Sequence, residues 1–150
     1  MELQGKTALI TGGNSGIGLA TARLLIARGA RVAITGRDRA KLDEAATELG
    51  GDVLALQADL NDSDDLAAVA SAVGKAFGTL DILFANAGIS GPTPLGSTTY
   101  AAFRDILDTN LTSVFFTVQS ALPSLSSGST DCTVKNTDVR LVSRMSRNAA

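Results

Sequence analysis

Short aliphatic runs alternate with longer segments of helical periodicity along the first 123 residues of the chain. The runs are bounded by Gly, Asp or Asn, which is typical of short buried strands, and they occupy residues 7–10, 31–35, 53–57 and 80–85. Helical patterns lie between them at residues 18–28, at residues 39–49 and after Asn61. This alternation of strand and helix predicts an α/β fold in which a parallel sheet carries helices on both faces.

A loop rich in Gly, Pro and Thr, residues 88–99, precedes the last helical pattern. Pro123 is expected to stop this helix. One face is predicted to form a continuous stripe that faces the core, and its residues are Phe103, Leu107, Asn110, Val114 and Val118.

The character of the chain changes at Ser124. The remaining residues are rich in Ser and Thr and have no sustained period, and residues 139–142 are the one segment compatible with a short strand. We therefore expect a single domain at residues 1–123 and an irregular tail at residues 124–150.

The bulk composition argues against several classes of function. Apolar residues make up 45% and charged residues 19% of the 150 residues, which is ordinary for one globular domain. The formal net charge of −2 offers no basic surface for nucleic acid, and no apolar stretch is long enough to span a membrane. The N-terminus lacks the pattern of a secretory signal. With no histidine and with Cys132 as the only cysteine, the sequence predicts no metal site and a cytoplasmic location.

Four glycines fall within the eight residues TGGNSGIG, residues 11–18, between the first strand and the first helix. A helix N-terminus presents free N–H groups and a partial positive charge, so it attracts phosphate. Glycines let the backbone turn sharply and approach the anion. The spacing Gly12-x-x-x-Gly16-x-Gly18 differs from the tighter G-x-G-x-x-G fingerprint, and a purely structural glycine turn remains the alternative.

Together with ADL at residues 58–60, ANAG at residues 85–88 and Asn110 in the last helix, the glycine loop resembles the short-chain dehydrogenase/reductase family. The pieces occur in that family's order and strand context over about residues 3–123. The resemblance implies a Rossmann-type, doubly wound sheet that binds a nicotinamide dinucleotide. It also implies an oxidoreductase that transfers hydride between this cofactor and a small carbonyl or alcohol substrate.

The resemblance implies a role for each matching residue. Asp59 and Leu60 would flank the adenine, with a helix-cap or loop carboxylate as the alternative for Asp59. Asn86, Ala87 and Gly88 would stabilise the end of the fourth strand and line the cofactor cleft. Six residues of the glycine loop would surround the pyrophosphate and the nearby ribose: Gly12, Asn14, Ser15, Gly16, Ile17 and Gly18.

The residue after the second strand bears on the choice between NAD and NADP. In NAD-preferring sites an acidic residue there binds the ribose 2′-hydroxyl and repels a 2′-phosphate. Here the strand ends with Arg37 and no carboxylate occurs before Asp38. The Arg37 guanidinium can form charge-assisted hydrogen bonds to a 2′-phosphate. The sequence thus favours NADP, with NAD as the alternative cofactor and a solvated helix start as the alternative interpretation of Arg37.

Asn110 interrupts an otherwise apolar helix face, where an unpaired amide would be costly. One interpretation is a buried asparagine whose amide is satisfied by nearby backbone. The resemblance implies instead a catalytic role, in which the residue holds a water molecule of a proton relay. The two interpretations are compatible.

The resemblance further implies a catalytic serine and a Tyr-x-x-x-Lys motif after Asn110, and the chain lacks both at the expected spacing. The one tyrosine, Tyr100, precedes Asn110 and opens the wrong helix. We expect the family pattern to be truncated or altered in frame after about residue 123, so that this polypeptide lacks turnover. A non-catalytic dinucleotide-binding protein or an interaction partner of full-length relatives is the alternative function.

Two architectural expectations follow from the same truncation. Without a true fifth strand, residues 80–85 would form an open sheet edge, for which only residues 139–142 offer cover. The truncation also argues against a homo-oligomer, which the family resemblance otherwise leaves open.

Overall fold

The computed structural model describes residues 3–50, 52–125 and 132–134. Its strands form one parallel sheet in the order β3-β2-β1-β4-β5. They are β1 Thr7–Ile10, β2 Arg31–Gly36, β3 Leu54–Gln57, β4 Ile82–Ala85 and β5 Cys132–Val134. The four predicted strands are confirmed, although β3 and β4 begin slightly later than the aliphatic runs suggest.

Helices connect the strands and cover both faces of the sheet. A single turn of π-helix, Asp108–Thr112 (here called the π-turn), separates the last two helices. A short 3-10 helix that contains Pro123 follows the last one. No helix in the described ranges is both long and apolar enough to cross a bilayer. The helices are α1 Gly16–Ala27, α2 Arg39–Leu49, α3 Ser63–Phe77, α4 Tyr100–Leu107 and α5 Ser113–Ala121.

The alternating side chains of β1 divide the core into two layers. Ala8 and Ile10 pack on the face covered by α1 and α2, together with Leu42. Leu9 packs on the opposite face, with Val69 of α3 and Ala121 of α5. Because side chains of a strand alternate between two faces, a strand that is buried at every position, as β1 is, requires helices on both sides of the sheet. The doubly wound, Rossmann-type architecture is therefore confirmed.

The predicted apolar stripe is wrong for α4. Phe103 is 51% exposed and Leu107 is 38% exposed. The buried positions of this segment are instead mostly polar or small, and include Thr109, Ser113, Thr117 and Ala121. No residue of α4 is buried, and Ile106 is its least exposed position. Among the described residues, no element therefore covers the apolar side chains predicted for α4.

The prediction of an open edge at β4 is also wrong. β5 pairs with β4 in parallel, with Leu83 opposite Cys132 and Ala85 opposite Val134. The pairing is formed by backbone hydrogen bonds, which the polar composition of the segment does not reveal. The domain boundary near residue 124 stays a prediction, and residues 139–142 lie outside the described residues.

At the amino ends of β1 and β4, Asp81 joins the two strands. Its carboxylate accepts the Thr7 N–H at 3.0 Å, and the Lys6 ammonium donates to it at 2.8 Å. The contact with Lys6, reinforced by hydrogen bonds from Thr7, holds the pKa of Asp81 below its usual range against the opposing effect of burial. This end of the strand pair is thus held by side chains as well as by the ladder.

Candidate functional site

A cavity of about 540 Å³ lies at the carboxyl ends of β1, β2, β3 and β4. The chain order of the sheet reverses between the neighbours β1 and β4, which is where open α/β sheets usually bind ligands. Gly18 and Asn110 are not among the lining residues. The other residues that the sequence proposes for the cofactor all line it: Gly12, Asn14, Ser15, Gly16, Ile17, Arg37, Asp59, Leu60, Asn86, Ala87 and Gly88.

Thr11 joins the ends of β1 and β4 beside this cavity. Its hydroxyl oxygen accepts the N–H groups of Asn86 and Ala87, each at 2.9 Å. The Asn86 amide in turn donates to the Thr11 carbonyl at 3.0 Å and to the Gly12 carbonyl at 3.3 Å. Because Thr11 is buried, these contacts, rather than solvent, satisfy the backbone where the two strands diverge.

The glycine loop combines crowded positions at Gly12, Gly13 and Gly18 with one open position at Gly16. A Cβ at Gly18 would lie 2.8 Å from Asn86 Nδ2 and would collide with the Gly12 carbonyl oxygen. Gly18 therefore lets α1 approach the loop closely, which is a packing role rather than a lining one. Gly16 has a φ of +52°, and a Cβ there would meet no protein atom within 4 Å.

The space beside Gly16 suits an anion. Gly16 begins α1 and lines the cavity, and the first turn of α1 has no acidic residue and no side-chain cap from Ser15. Helix N–H groups without side-chain partners, together with the helix dipole, bind phosphate groups. The residues present thus fit the pyrophosphate of a dinucleotide.

The end of β2 leaves one cation available to a ligand. The Asp38 carboxylate caps α2 by accepting the Lys41 N–H at 3.1 Å, and Lys41 Nζ lies 3.9 Å from it. Arg39 pairs with Asp43 at 2.7 Å. Arg37 lines the cavity, and its guanidinium has no hydrogen bond or ion pair among the described residues.

At the end of β3 the contacts favour the loop-carboxylate interpretation of Asp59. Its side chain accepts the Asn61 N–H at 3.0 Å, and its own N–H donates to Asp65 at 2.7 Å. Leu60 is mostly buried and belongs to the core layer beneath α3. Both residues still present part of their surface to the cavity.

Asn110 is satisfied by the backbone of Ile89. Its Oδ1 accepts the Ile89 N–H and its Nδ2 donates to the Ile89 carbonyl, each at 2.8 Å. Asn110 is half-buried rather than buried, and its amide is satisfied by nearby backbone as the first interpretation expects. Tyr100 is 79% exposed and does not line the cavity.

Sequence reasoning missed ten lining residues. Those that end β2 or follow β3 could have been found from their position alone, since the carboxyl ends of parallel strands lie at one edge of the sheet. Thr109 lies in the π-turn between α4 and α5 and Ser113 directly follows it, and the sequence offers no signal for this turn. The missed residues are Thr35, Gly36, Asp38, Lys41, Ala58, Asn61, Ile89, Ser90, Thr109 and Ser113.

A family profile described as short chain dehydrogenase matches residues 6–134. The oxidoreductase asL5 of Sarocladium schorii is 45% identical over 122 residues, covering 81% of this chain and 49% of that protein. The NADP complex of Pseudomonas aeruginosa RhlG has a TM-score of 0.78 at 39% identity, over 82% of this chain and 49% of that one. A 3-ketoacyl-(acyl-carrier-protein) reductase of Brucella melitensis complexed with NADH also has a TM-score of 0.78, at 35% identity, over 82% and 51%.

The chain belongs to the short-chain dehydrogenase/reductase family, as the sequence motifs predict. It spans about half the length of the curated relatives it matches. The matched segment includes β5 as well as the whole cavity wall.

Replacing Thr11 with valine removes the acceptor of two part-buried N–H groups while keeping the shape of the side chain. An unpaired buried donor costs about 1–3 kcal/mol. Because these two donors are only part-buried, we expect Thr11→Val to lower the free energy of unfolding by about 2–4 kcal/mol, the lower part of the range for two donors. Urea denaturation measures this change. Thr11→Ser keeps the hydroxyl and is the matched control; a Thr11→Val variant as stable as Thr11→Ser would contradict the role of the hydroxyl.

Proposed function

We propose that this chain binds a nicotinamide dinucleotide, preferably NADP(H), in the cavity at the strand ends. We further propose that it provides the cofactor-binding part of an oxidoreductase that transfers hydride between NADP(H) and a carbonyl or alcohol substrate. The observation that carries the proposal is the open cradle at Gly16, where the N-terminus of α1 faces cavity space that a side chain would fill.

Residues at the ends of the four strands would contact different parts of the cofactor. The backbone of Ser15, Gly16 and Ile17 would hold the pyrophosphate, and Gly12 and Asn14 would bound it from the loop. Leu60 would contribute an apolar contact to the adenine, and the backbone of residues 86–88 would line the path toward the nicotinamide. When bound, the cofactor supplies or accepts the hydride; the protein binds and orients it.

The preference for NADP(H) is inferred from Arg37. Asp38, the nearest carboxylate after β2, accepts the Lys41 N–H as the cap of α2. Arg37 is exposed, lines the cavity and has no side-chain partner among the described residues, which supports a contact between its guanidinium and a 2′-phosphate. Similar proteins do not decide the matter, since one relative is an NADP complex and another is complexed with NADH.

Replacing Gly16 with valine should abolish binding of both NADPH and NADH, because the added side chain would fill the space proposed for the pyrophosphate. Isothermal titration calorimetry with the purified 150-residue polypeptide measures this. Gly78→Val is a matched control, since Gly78 also has a positive φ (+76°) and open surroundings but does not line the cavity. Equal losses of binding in both variants would show a folding effect and would contradict the proposed cradle.

Replacing Arg37 with alanine should weaken NADPH binding roughly ten- to a hundredfold and leave NADH binding nearly unchanged. The range corresponds to a charge-assisted hydrogen bond of about 1.5–3 kcal/mol. Arg39→Ala is the control, because Arg39 pairs with Asp43 and does not line the cavity. If wild type binds both cofactors equally, or if Arg37→Ala keeps the NADPH preference, Arg37 does not select the cofactor.

A non-catalytic dinucleotide-binding protein is the second candidate for this polypeptide taken by itself. Among the described residues, the cavity lining contains no tyrosine or histidine. Tyr100 lies outside it, and the Asn110 amide is engaged with Ile89. In this candidate the water-holding catalytic role that the family resemblance implies for Asn110 is absent.

We expect the 150-residue polypeptide alone to show negligible NADPH oxidation with ketones, quinones or aldehydes. The developing alkoxide needs a proton, and a positioned acid contributes roughly 10²–10⁴-fold to the rate. Absorbance at the NADPH band measures turnover. A rate of about 1–10³ s⁻¹ that survives Tyr100→Phe would contradict this expectation, and a rate abolished by Tyr100→Phe would identify Tyr100 as the acid.

A further inference from the structure

We propose that the hydrogen bond between Asn61 and Thr109 is a latch between two walls of the cavity, one formed from residues 58–61 after β3 and the other from residues 86–113 after β4. In this proposal Asn61 is a positioning residue for the bound dinucleotide. The inference rests on the proposed function, because it concerns the same cavity. Asn61 Nδ2 donates to Thr109 Oγ1 at 3.0 Å, and both residues line the cavity.

The two residues follow strands that are not neighbours in the sheet. Asn61 follows β3 and directly precedes the N-cap of α3, whereas Thr109 lies in the π-turn that follows α4. In the sheet, β2 and β1 lie between β3 and β4. Within the described residues, no other side-chain hydrogen bond joins residues 58–61 to residues 86–113. Beyond the sheet and the packing of the helices, this contact is therefore what fixes the relative position of the two walls at the edge of the cavity.

On the β3 side, the backbone of Asn61 is held by further hydrogen bonds. The Asn61 N–H donates to Asp59 Oδ1 at 3.0 Å, and the Asp59 N–H donates to Asp65 of α3 at 2.7 Å. Asn61 is therefore tied through its backbone to the proposed adenine end of the cavity. Its side chain is left to reach across to the π-turn.

On the side of the π-turn, Thr109 belongs to a set of hydrogen bonds that positions the residues of the other wall. Thr109 is buried, and its carbonyl accepts the Ser113 hydroxyl at 2.6 Å. The next residue, Asn110, pairs with both backbone groups of Ile89, which also lines the cavity. A π-turn departs from the regular α-helical hydrogen-bond register, so side-chain contacts help to set its position. A shift of Thr109 would carry Asn110 and the Ile89 wall with it.

A ligand that touches both walls should sense the latch, and a ligand confined to the adenine end should not. In the proposed binding mode NADPH would span the cavity, whereas adenosine 2′,5′-bisphosphate contains only the adenine-side half of the NADPH molecule. Loss of the latch is therefore expected to weaken NADPH binding selectively. A residue with a merely structural role would change the stability of the fold or the binding of both ligands.

The test is calorimetric titration of both ligands into the 150-residue polypeptide carrying Asn61→Ala, Thr109→Val or both. Each single variant should weaken NADPH binding roughly two- to tenfold, as expected for one net hydrogen bond. The double variant should bind NADPH no more weakly than the weaker single variant, because the same contact is lost once. Binding of adenosine 2′,5′-bisphosphate should stay within about twofold of wild type.

Two controls separate the latch from other effects. Thr109→Ser keeps the acceptor and should restore wild-type NADPH affinity, and Gln119→Ala removes an exposed amide of α5 that does not line the cavity. Additive losses in the double variant, equal losses for the two ligands, or unchanged affinity in both single variants would overturn the latch while leaving the binding site intact. A folded wild type that binds neither NADPH nor NADH would overturn the proposed function and the latch together.

Discussion

The cavity depends on one buried hydroxyl group, that of Thr11. From β1 the chain continues to β2 and β3 on one side of β1, and then returns to form β4 on the other side. The loops that follow β1 and β4 therefore run in opposite directions, and a crevice opens between the two strand ends. At that point the regular ladder ends and backbone N–H groups lose their partners. The Thr11 hydroxyl accepts two of them, from Asn86 and Ala87, and so holds the strands together where the ligand must approach.

The glycine loop provides space in the site, and the residues at the strand ends provide its charged groups. Gly18 removes a side chain where α1 meets the loop, and Gly16 leaves cavity space free at the first turn of that helix. The acidic residues of the lining are held by their own backbone neighbours, Asp38 as the cap of α2 and Asp59 in the turn before α3. Arg37 and the α1 N-terminus remain as the positive features available to an anion.

The π-turn Asp108–Thr112 connects the core to the site. Thr109 of the π-turn and Ser113, which follows it, both line the cavity. Asn110, in the same turn, is held against the backbone of Ile89. This short segment therefore contributes polar lining residues that the sequence did not reveal.

The sequence alone determined the order and approximate position of β1–β4 and α1–α3, the glycine loop and the family, because these depend on local periodicity and on turn and cap residues. It also predicted about half of the residues that line the cavity, since loops that follow parallel strands meet at one edge of the sheet. Only the tertiary structure decided the pairing of β5 with β4, the π-turn, and the contacts of Asn61, Thr109 and Asn110. These features arise between segments distant in sequence, where hydrogen bonds leave no periodic signal in the residues.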